Sequence, residues 1–235
     1  MTISAENQLS TARLSIPGDR RNFGNKESKM NPIEKYDGSP DKETARIEAF
    51  SDGIFCVAIT LLAIEIGVDA KSTSSNKDLA HALAQLWPKY LAYFVSFINV
   101  LLAWVGHHSL FRRIRRADNY IMIANGLLLM VLALVPFPTK TLGLAIGTPA
   151  FRTAVLLYTG YFVAVSCCYR LLWFAATRHR HQLVEGITET QVRATTRAEN
   201  IGLISNVTIL LVALVNPWLA LALSFAMWIY WIALG

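Results

Sequence analysis

The sequence predicts an all-α membrane protein with six transmembrane helices, and three observations support this prediction. First, 54% of the 235 residues are hydrophobic, and the mean hydropathy is +0.38. Second, only 16% of the residues are charged, and many of these charges lie in residues 1–50 and in two short loops. Third, the apolar residues form runs longer than a soluble core of this size requires.

Six apolar runs follow one another along the chain, each about long enough to cross a hydrocarbon core of roughly 30 Å. They cover residues 47–68, 87–111, 120–137, 153–176, 201–215 and 218–234. The fifth run is the least regular, and we extend it backward through residues 194–200. Asn216 and Pro217 are a turn signal that separates the last two runs.

The chain divides into two predicted parts. Residues 1–43 are polar and hold no apolar run, so we expect a disordered cytoplasmic tail. Residues 44–235 form the six-helix transmembrane domain. No signal peptide is expected, because no apolar segment follows Met1. Met30 is an alternative start of translation.

Basic residues predict the orientation of the helices. Four arginines lie between the second and third runs and four between the fourth and fifth: Arg112, Arg113, Arg115, Arg116, Arg178, Arg180, Arg193 and Arg197. Loops rich in arginine stay in the cytoplasm, so we expect both termini there, in a multi-pass protein of the plasma membrane. These loops also explain the net charge of +6, and we expect no nucleic-acid partner.

Several polar side chains interrupt the apolar runs. Asp52 lies one to two turns inside the first run, and an Asp at a helix centre costs about 2.5–3.5 kcal/mol to insert. His107 and His108 in the second run and Asn125 in the third lie toward the same predicted side. We expect these groups to meet at one depth and to satisfy each other.

Three motifs carry a resemblance to a known family. The first run contains Arg46-x-x-x-Phe50-Ser51-Asp52, the second contains Trp104-x-x-His107-His108, and the third runs from Asn125 to Pro136-Phe-Pro-Thr. Together they resemble the transmembrane-protein-175 potassium channel family, over roughly residues 44–235. The single set of six runs is similar to the bacterial form of that family.

The resemblance implies a function and an assembly. It implies a homotetrameric, potassium-permeable channel in the lipid bilayer, with the pore lined by the first helix of each subunit. The channel would pass K⁺, and other monovalent cations to some degree, without a cofactor or an enzymatic activity. The implied structural hub comprises Arg46, Phe50, Ser51, Asp52, Trp104, His107 and Asn125.

Helix geometry is consistent with the pore that the resemblance implies, although the first run is apolar on all sides and cannot by itself indicate a pore face. At 100° per residue, Val57, Leu61 and Ile64 fall on one narrow stripe bordered by Thr60. This stripe is the predicted hydrophobic gate, and the Thr60 hydroxyl is the predicted selectivity element. No Thr-Val-Gly-Tyr-Gly filter occurs in the chain, so we expect weak selectivity. We expect Phe55 to face lipid.

Two other interpretations remain open. A proton- or ion-coupled transporter could use Asp52, Glu65, His107 and His108 as a relay. A membrane enzyme could bind a metal through His179 and His181, but no third ligand is suitably spaced. We expect no bound metal, and we expect Glu65 at the outer vestibule or at a contact between subunits, where it would modestly concentrate cations.

Overall fold

The computed structural model describes residues 40–67 and 76–234, and eight α-helices account for most of these residues. The helices are α1 (Pro40–Ile64), α2 (Asn76–Gln85), α3 (Trp87–Phe111), α4 (Asn119–Ala133), α5 (Pro136–Ala145), α6 (Phe151–Thr177), α7 (Glu189–Val215) and α8 (Pro217–Leu234). A short 3₁₀ turn covers Arg180–Gln182. Within this part of the chain the fold is all-α, as predicted.

Five segments are long and apolar enough to cross a membrane. They are Thr44–Ile64, Trp87–Phe111, Asn119–Ala145, Phe151–Thr177 and Glu189–Val215. The sixth predicted run falls in α8. Among the described residues, the apolar segment of this helix, Pro217–Met227, is shorter than a membrane-spanning helix requires. Six crossings therefore remain a prediction.

Helix boundaries differ from the predicted ones in three places. The third apolar segment continues to Ala145 instead of ending at residue 137, because Pro136 and Pro138 lie in the first turn of α5, where proline is tolerated. α1 begins at Pro40, inside the predicted tail, whose residues 1–39 lie outside the described chain. In addition, α2, which has no buried residues, was not predicted from the sequence.

Local capping fixes the ends of the later helices. The Asp118 side chain accepts the Ile121 amide at the start of α4, and Thr188 and Gln191 form a capping box at the start of α7. The Asn216 side chain accepts the Leu219 amide immediately before α8. The predicted Asn216–Pro217 turn is thus present between α7 and α8.

Two apolar cores hold the helices together. One core joins α1, α4, the C-terminal half of α3 and the C-terminal half of α6, around the fully buried Trp173. The other joins α5, the N-terminal half of α6 and parts of α3, α7 and α8, around Tyr158. α5 lies very close to α3, since a Cβ at Gly143 would be 3.2 Å from the Lys89 Cα.

Candidate functional site

One face of α1 is fixed inside the subunit. Ser51, Phe55, Ala58 and Leu62 recur at spacings of three and four residues and are at most 1% exposed. They pack against α3 and α4. The prediction that Phe55 faces lipid is therefore wrong. α1 is apolar on all sides, so its sequence could not indicate which aromatic residue was buried.

The opposite face of α1 is uncovered in the single chain. Val57, Leu61 and Ile64 are 54%, 40% and 73% exposed. Thr60 is exposed beside them, and its hydroxyl donates to the Val57 carbonyl at 2.9 Å. The backbone thus satisfies the hydroxyl proton, and the lone pairs of the oxygen remain accessible.

A buried chain of hydrogen bonds joins α1, α4 and α3. The Ser51 Oγ donates to the Ile47 carbonyl at 2.8 Å and accepts from the Asn125 Nδ2 at 3.0 Å. The Asn125 Oδ1 lies 2.9 Å from the His107 Nε2. These three side chains are at most 3% exposed. Buried polar groups need such partners, because an unpaired one costs about 1–3 kcal/mol.

Aromatic rings enclose the imidazole of His107. The Phe55 ring centroid lies 5.4 Å from the imidazole centroid, and the Phe111 ring stacks on it at 4.5 Å. The imidazole is thus held by one hydrogen bond and two rings. This arrangement fixes the position of α1 against α3.

The remaining hub residues lie at the subunit surface. The Trp104 Nε1 donates to the Asp52 Oδ1 at 2.8 Å, and Asp52 is exposed. Arg46 and Phe50 are also exposed in the single chain, Phe50 by 65%. The structure therefore separates the hub residues into a buried chain and a surface group. Asp52 contacts Trp104, whereas Asn125 and His107 bond to each other.

A further ionisable pair accompanies the surface group. The His108 Nδ1 lies 3.8 Å from the Glu48 Oε2, and the His108 ring stacks on Trp104 with centroids 6.3 Å apart. Trp104 thus lies between the carboxylate of Asp52 and the ring of His108. Glu48 was not among the predicted site residues, although its spacing of four residues from Asp52 places both on neighbouring turns.

At the other end of α1, Glu65 forms an ion pair. Its Oε2 lies 2.9 Å from the Lys140 Nζ on α5. Lys89 lies in the same region and donates to the Gly67 carbonyl at 3.1 Å. The positive charge of Lys140 offsets the attraction of Glu65 for cations. This ion pair was not predicted from the sequence.

A second buried polar cluster was not predicted from the sequence. The Thr139 and Ser96 hydroxyl oxygens lie 2.7 Å apart, and the Ser96 Oγ lies 3.1 Å from the Tyr158 hydroxyl. The Asn99 Nδ2 donates to the Tyr158 oxygen at 3.4 Å. Ser96 and Asn99 stand out in their apolar run, but nothing local in the sequence identifies Thr139 and Tyr158 as their partners.

The described residues give no support for a metal centre. They contain no group of three or more His, Cys, Asp or Glu side chains that could hold an ion. His179 and His181 stack on each other, with ring centroids 5.5 Å apart.

Comparisons with known proteins identify the family. The family model for the endosomal/lysosomal potassium channel TMEM175 matches residues 46–136. A potassium channel of Chamaesiphon minutus is 37% identical over 188 residues, which are 80% of this chain and 93% of that protein. A potassium channel of Streptomyces collinus is 39% identical, covering 65% of this chain and 74% of that protein.

Two further relatives are a human protein and a solved structure. The endosomal/lysosomal proton channel TMEM175 of Homo sapiens is 35% identical over 125 residues, 49% of this chain and 25% of that protein. The crystal structure of a lysosomal potassium-selective channel TMEM175 homolog from Chamaesiphon minutus is 36% identical. It superposes with a TM-score of 0.73, covering 82% of this chain and 97% of that one. The chain therefore belongs to the TMEM175 family, as a multi-pass membrane cation channel and not an enzyme.

Proposed function

We propose that this protein is a potassium-permeable, weakly selective channel whose pore is lined by α1 of four identical subunits. One observation carries the proposal: the exposed face of α1 is apolar, while its opposite face is held against α3 and α4. The relatives named as potassium channels in Chamaesiphon minutus and Streptomyces collinus support K⁺ as the permeant ion.

The exposed stripe is suited to a hydrophobic gate. Four copies around an axis would form rings of Val57, Leu61 and Ile64, spread over about 10 Å at 1.5 Å per residue. A narrow apolar throat tends to lose its water, and no group there replaces the hydration shell of an ion. A small radial movement of the helices would close such a pore without a charged gate.

Selectivity in this arrangement is modest. The Thr60 oxygen borders the stripe with its lone pairs accessible, since its proton is bonded to the Val57 carbonyl, but one hydroxyl per subunit replaces only a small part of the hydration shell of an ion. No ring of free backbone carbonyls is available within a regular helix. The cost of dehydration at the apolar rings therefore contributes most of the discrimination between cations.

The same exposed face supports a homotetrameric assembly. Each chain offers one pore helix, so several copies are needed to enclose a conduction path. Arg46 and Phe50 lie on the same side of α1 as Val57, on the ideal helix, and are exposed in the single chain. Contact between subunits would cover these side chains. Mass measurement of the oligomer in nanodiscs tests this step, and a monomer would contradict it.

The proposed setting is the plasma membrane, with both termini in the cytoplasm. The two arginine-rich loops lie together, because Ile114 pairs with Leu183 and the Gln182 carbonyl accepts the Arg115 and Arg116 amides. Their shared position concentrates positive charge at one membrane face, which the positive-inside rule assigns to the cytoplasm. Cysteine accessibility in intact cells measures this orientation.

The decisive experiment replaces an apolar ring with a polar one. Leu61→Asn supplies hydrogen-bonding groups in the throat, so water persists there and K⁺ current through reconstituted protein should rise several-fold. Leu171→Asn on α6 is the matched control, because Leu171 is 43% exposed and Leu61 is 40% exposed. Equal currents for Leu61→Asn, Leu171→Asn and the unmodified protein would mean that this face is not the pore.

Single-channel recording separates a channel from a transporter. An open pore passes ions far faster than an alternating-access cycle. Resolved unitary K⁺ currents would support the channel, and currents that need a coupled proton gradient would support the transporter.

A further inference from the structure

We infer that α7 carries a binding site for an anionic phospholipid at the membrane face where the arginine-rich loops lie. The site is an open cleft of about 440 Å³, lined by Arg193, Thr196, Arg197, Asn200, Ile201 and Ile204. Its two ends differ in chemistry. One end carries two guanidinium groups, and the other carries exposed aliphatic side chains.

The cationic end carries two exposed guanidinium groups. Arg193 and Arg197 are exposed one turn apart, and neither forms an ion pair with any residue that the structure describes. Glu199 does not neutralise them, since its carboxylate interacts electrostatically with Arg170 on α6 and with Arg113 in the turn that follows α3. Two adjacent unpaired guanidinium groups match a phosphate, which accepts hydrogen bonds on several oxygens.

Polar neighbours define the floor of the cleft. The Asn200 Oδ1 accepts the Arg170 Nε at 2.9 Å, and the Thr196 Oγ1 accepts the Trp173 Nε1 at 2.8 Å. These bonds anchor both side chains to α6. The Asn200 amide nitrogen can then donate to a bound anion without losing its existing bond.

The apolar end continues as a stripe along the same helix face. Ile204 and Leu211 follow Arg197 at spacings of seven residues and are 65% and 57% exposed. From Arg197 to Leu211 the helix rises about 21 Å, which is close to the length of a lipid acyl chain. A head group on the arginines would therefore place its chains on exposed aliphatic surface.

The depth of the site agrees with this occupant. α7 has 27 residues and rises about 40 Å, whereas the hydrocarbon core is roughly 30 Å thick. With Val215 at one edge of that core, Arg193 and Arg197 lie near the other edge, at head-group level. Basic pockets at this level bind anionic head groups.

The adjacent loop cleft is a weaker candidate. It is lined by Arg115, Arg116 and His181, but Arg115 already pairs with Glu185. All the described residues that line this cleft lie in the loops after α3 and after α6, so no aliphatic stripe of a transmembrane helix continues from its lining. The observations thus favour α7.

Native mass spectrometry of the purified full chain tests the inference. The probes are phosphatidylglycerol and phosphatidylcholine with identical acyl chains. We expect preferential retention of phosphatidylglycerol, and R193Q/R197Q should reduce that retention about tenfold. The matched control is R112Q/R116Q, which removes the same charge at the same membrane face and should change retention less than about twofold.

Four outcomes would overturn the site. Equal retention of the two lipids would exclude head-group recognition, and equal loss in both double variants would indicate a diffuse surface field. Dissociation of the oligomer by R193Q/R197Q would mean that the stripe is a contact between subunits. Displacement of the lipid by millimolar inorganic phosphate would mean that the acyl chains contribute nothing.

Discussion

The two faces of α1 have nearly the same composition and very different surroundings. Phe55 and Leu62 are fully buried inside the subunit, whereas Leu61 and Ile64, one or two residues away, are exposed. The difference comes from the partners on α3 and α4, since both faces are equally apolar in sequence. One face of such a helix can pack rigidly inside the subunit while the other face lines a pore. Changes on one face should affect stability, and changes on the other should affect conduction.

The largest effect is expected on the buried face. Phe55→Ala leaves a cavity beside His107, so the free energy of unfolding should fall by about 3–5 kcal/mol. The matched control is Phe174→Ala, because Phe174 is 57% exposed. Thermal unfolding followed by fluorescence-detected size exclusion measures both. If the two variants melt at the same temperature, the assignment of the buried face fails.

A smaller loss of stability is expected when the hydrogen bonds among Ser51, Asn125 and His107 are broken. Asn125→Leu removes the acceptor of His107 and the donor to Ser51, so stability should fall by about 1–3 kcal/mol. Ser51 still donates to the Ile47 carbonyl, which limits the loss. The same thermal assay applies, and Asn206→Leu, which breaks only a part-buried bond to Ser166, is the control. A stabilised Asn125→Leu protein would contradict the proposed role of the chain.

On the exposed face we expect changes in conduction with little change in stability. Thr60→Ala removes a hydroxyl but hardly alters the width of the throat, so the K⁺/Na⁺ permeability ratio should shift by about twofold. Reversal potentials under bi-ionic conditions give the ratio, and the melting temperature serves as the internal control. A large drop in melting temperature without a shift in the permeability ratio would mean that Thr60 acts in packing, like the residues on the buried face of α1.

The smallest effects are expected at the Glu65–Lys140 pair. Because Lys140 offsets its charge, Glu65→Gln should lower cation conductance only slightly, even at low salt. Lys140→Gln should raise low-salt conductance instead, since it leaves the carboxylate unpaired. Conductance measured at low and high KCl distinguishes these cases. Identical signs for the two substitutions would show that the pair acts only through packing.

The sequence was informative where one residue type stands out from its surroundings. Asp52, His107 and Asn125 interrupt apolar runs, and the family motif links them, although the bonding pattern among them needed the tertiary structure. The orientation of Phe55 could not be predicted, because an entirely apolar helix has no preferred face. The third run was predicted to end at residue 137, yet a proline in the first turn permits a new helix to begin at once.

The second polar cluster illustrates the same limit. Ser96, Thr139 and Tyr158 come from three different helices and meet only after these helices pack. Hydroxyl groups in an apolar helix can bond to their own backbone, as Thr139 does with the Val135 carbonyl, so their presence alone predicts no partner. Such clusters require the fold before they can be identified.

The series of hydrogen bonds that joins His107, Asn125 and Ser51 also has a fixed direction of donation. The Ser51 hydroxyl donates its only proton to the Ile47 carbonyl, so its oxygen must accept from the Asn125 Nδ2. The Asn125 Oδ1 therefore faces His107. An amide oxygen only accepts, which places the imidazole proton on Nε2. A carboxamide relays no proton unless it rotates and breaks both of its bonds. These hydrogen bonds therefore brace α1 against α3 and α4 and do not themselves conduct protons.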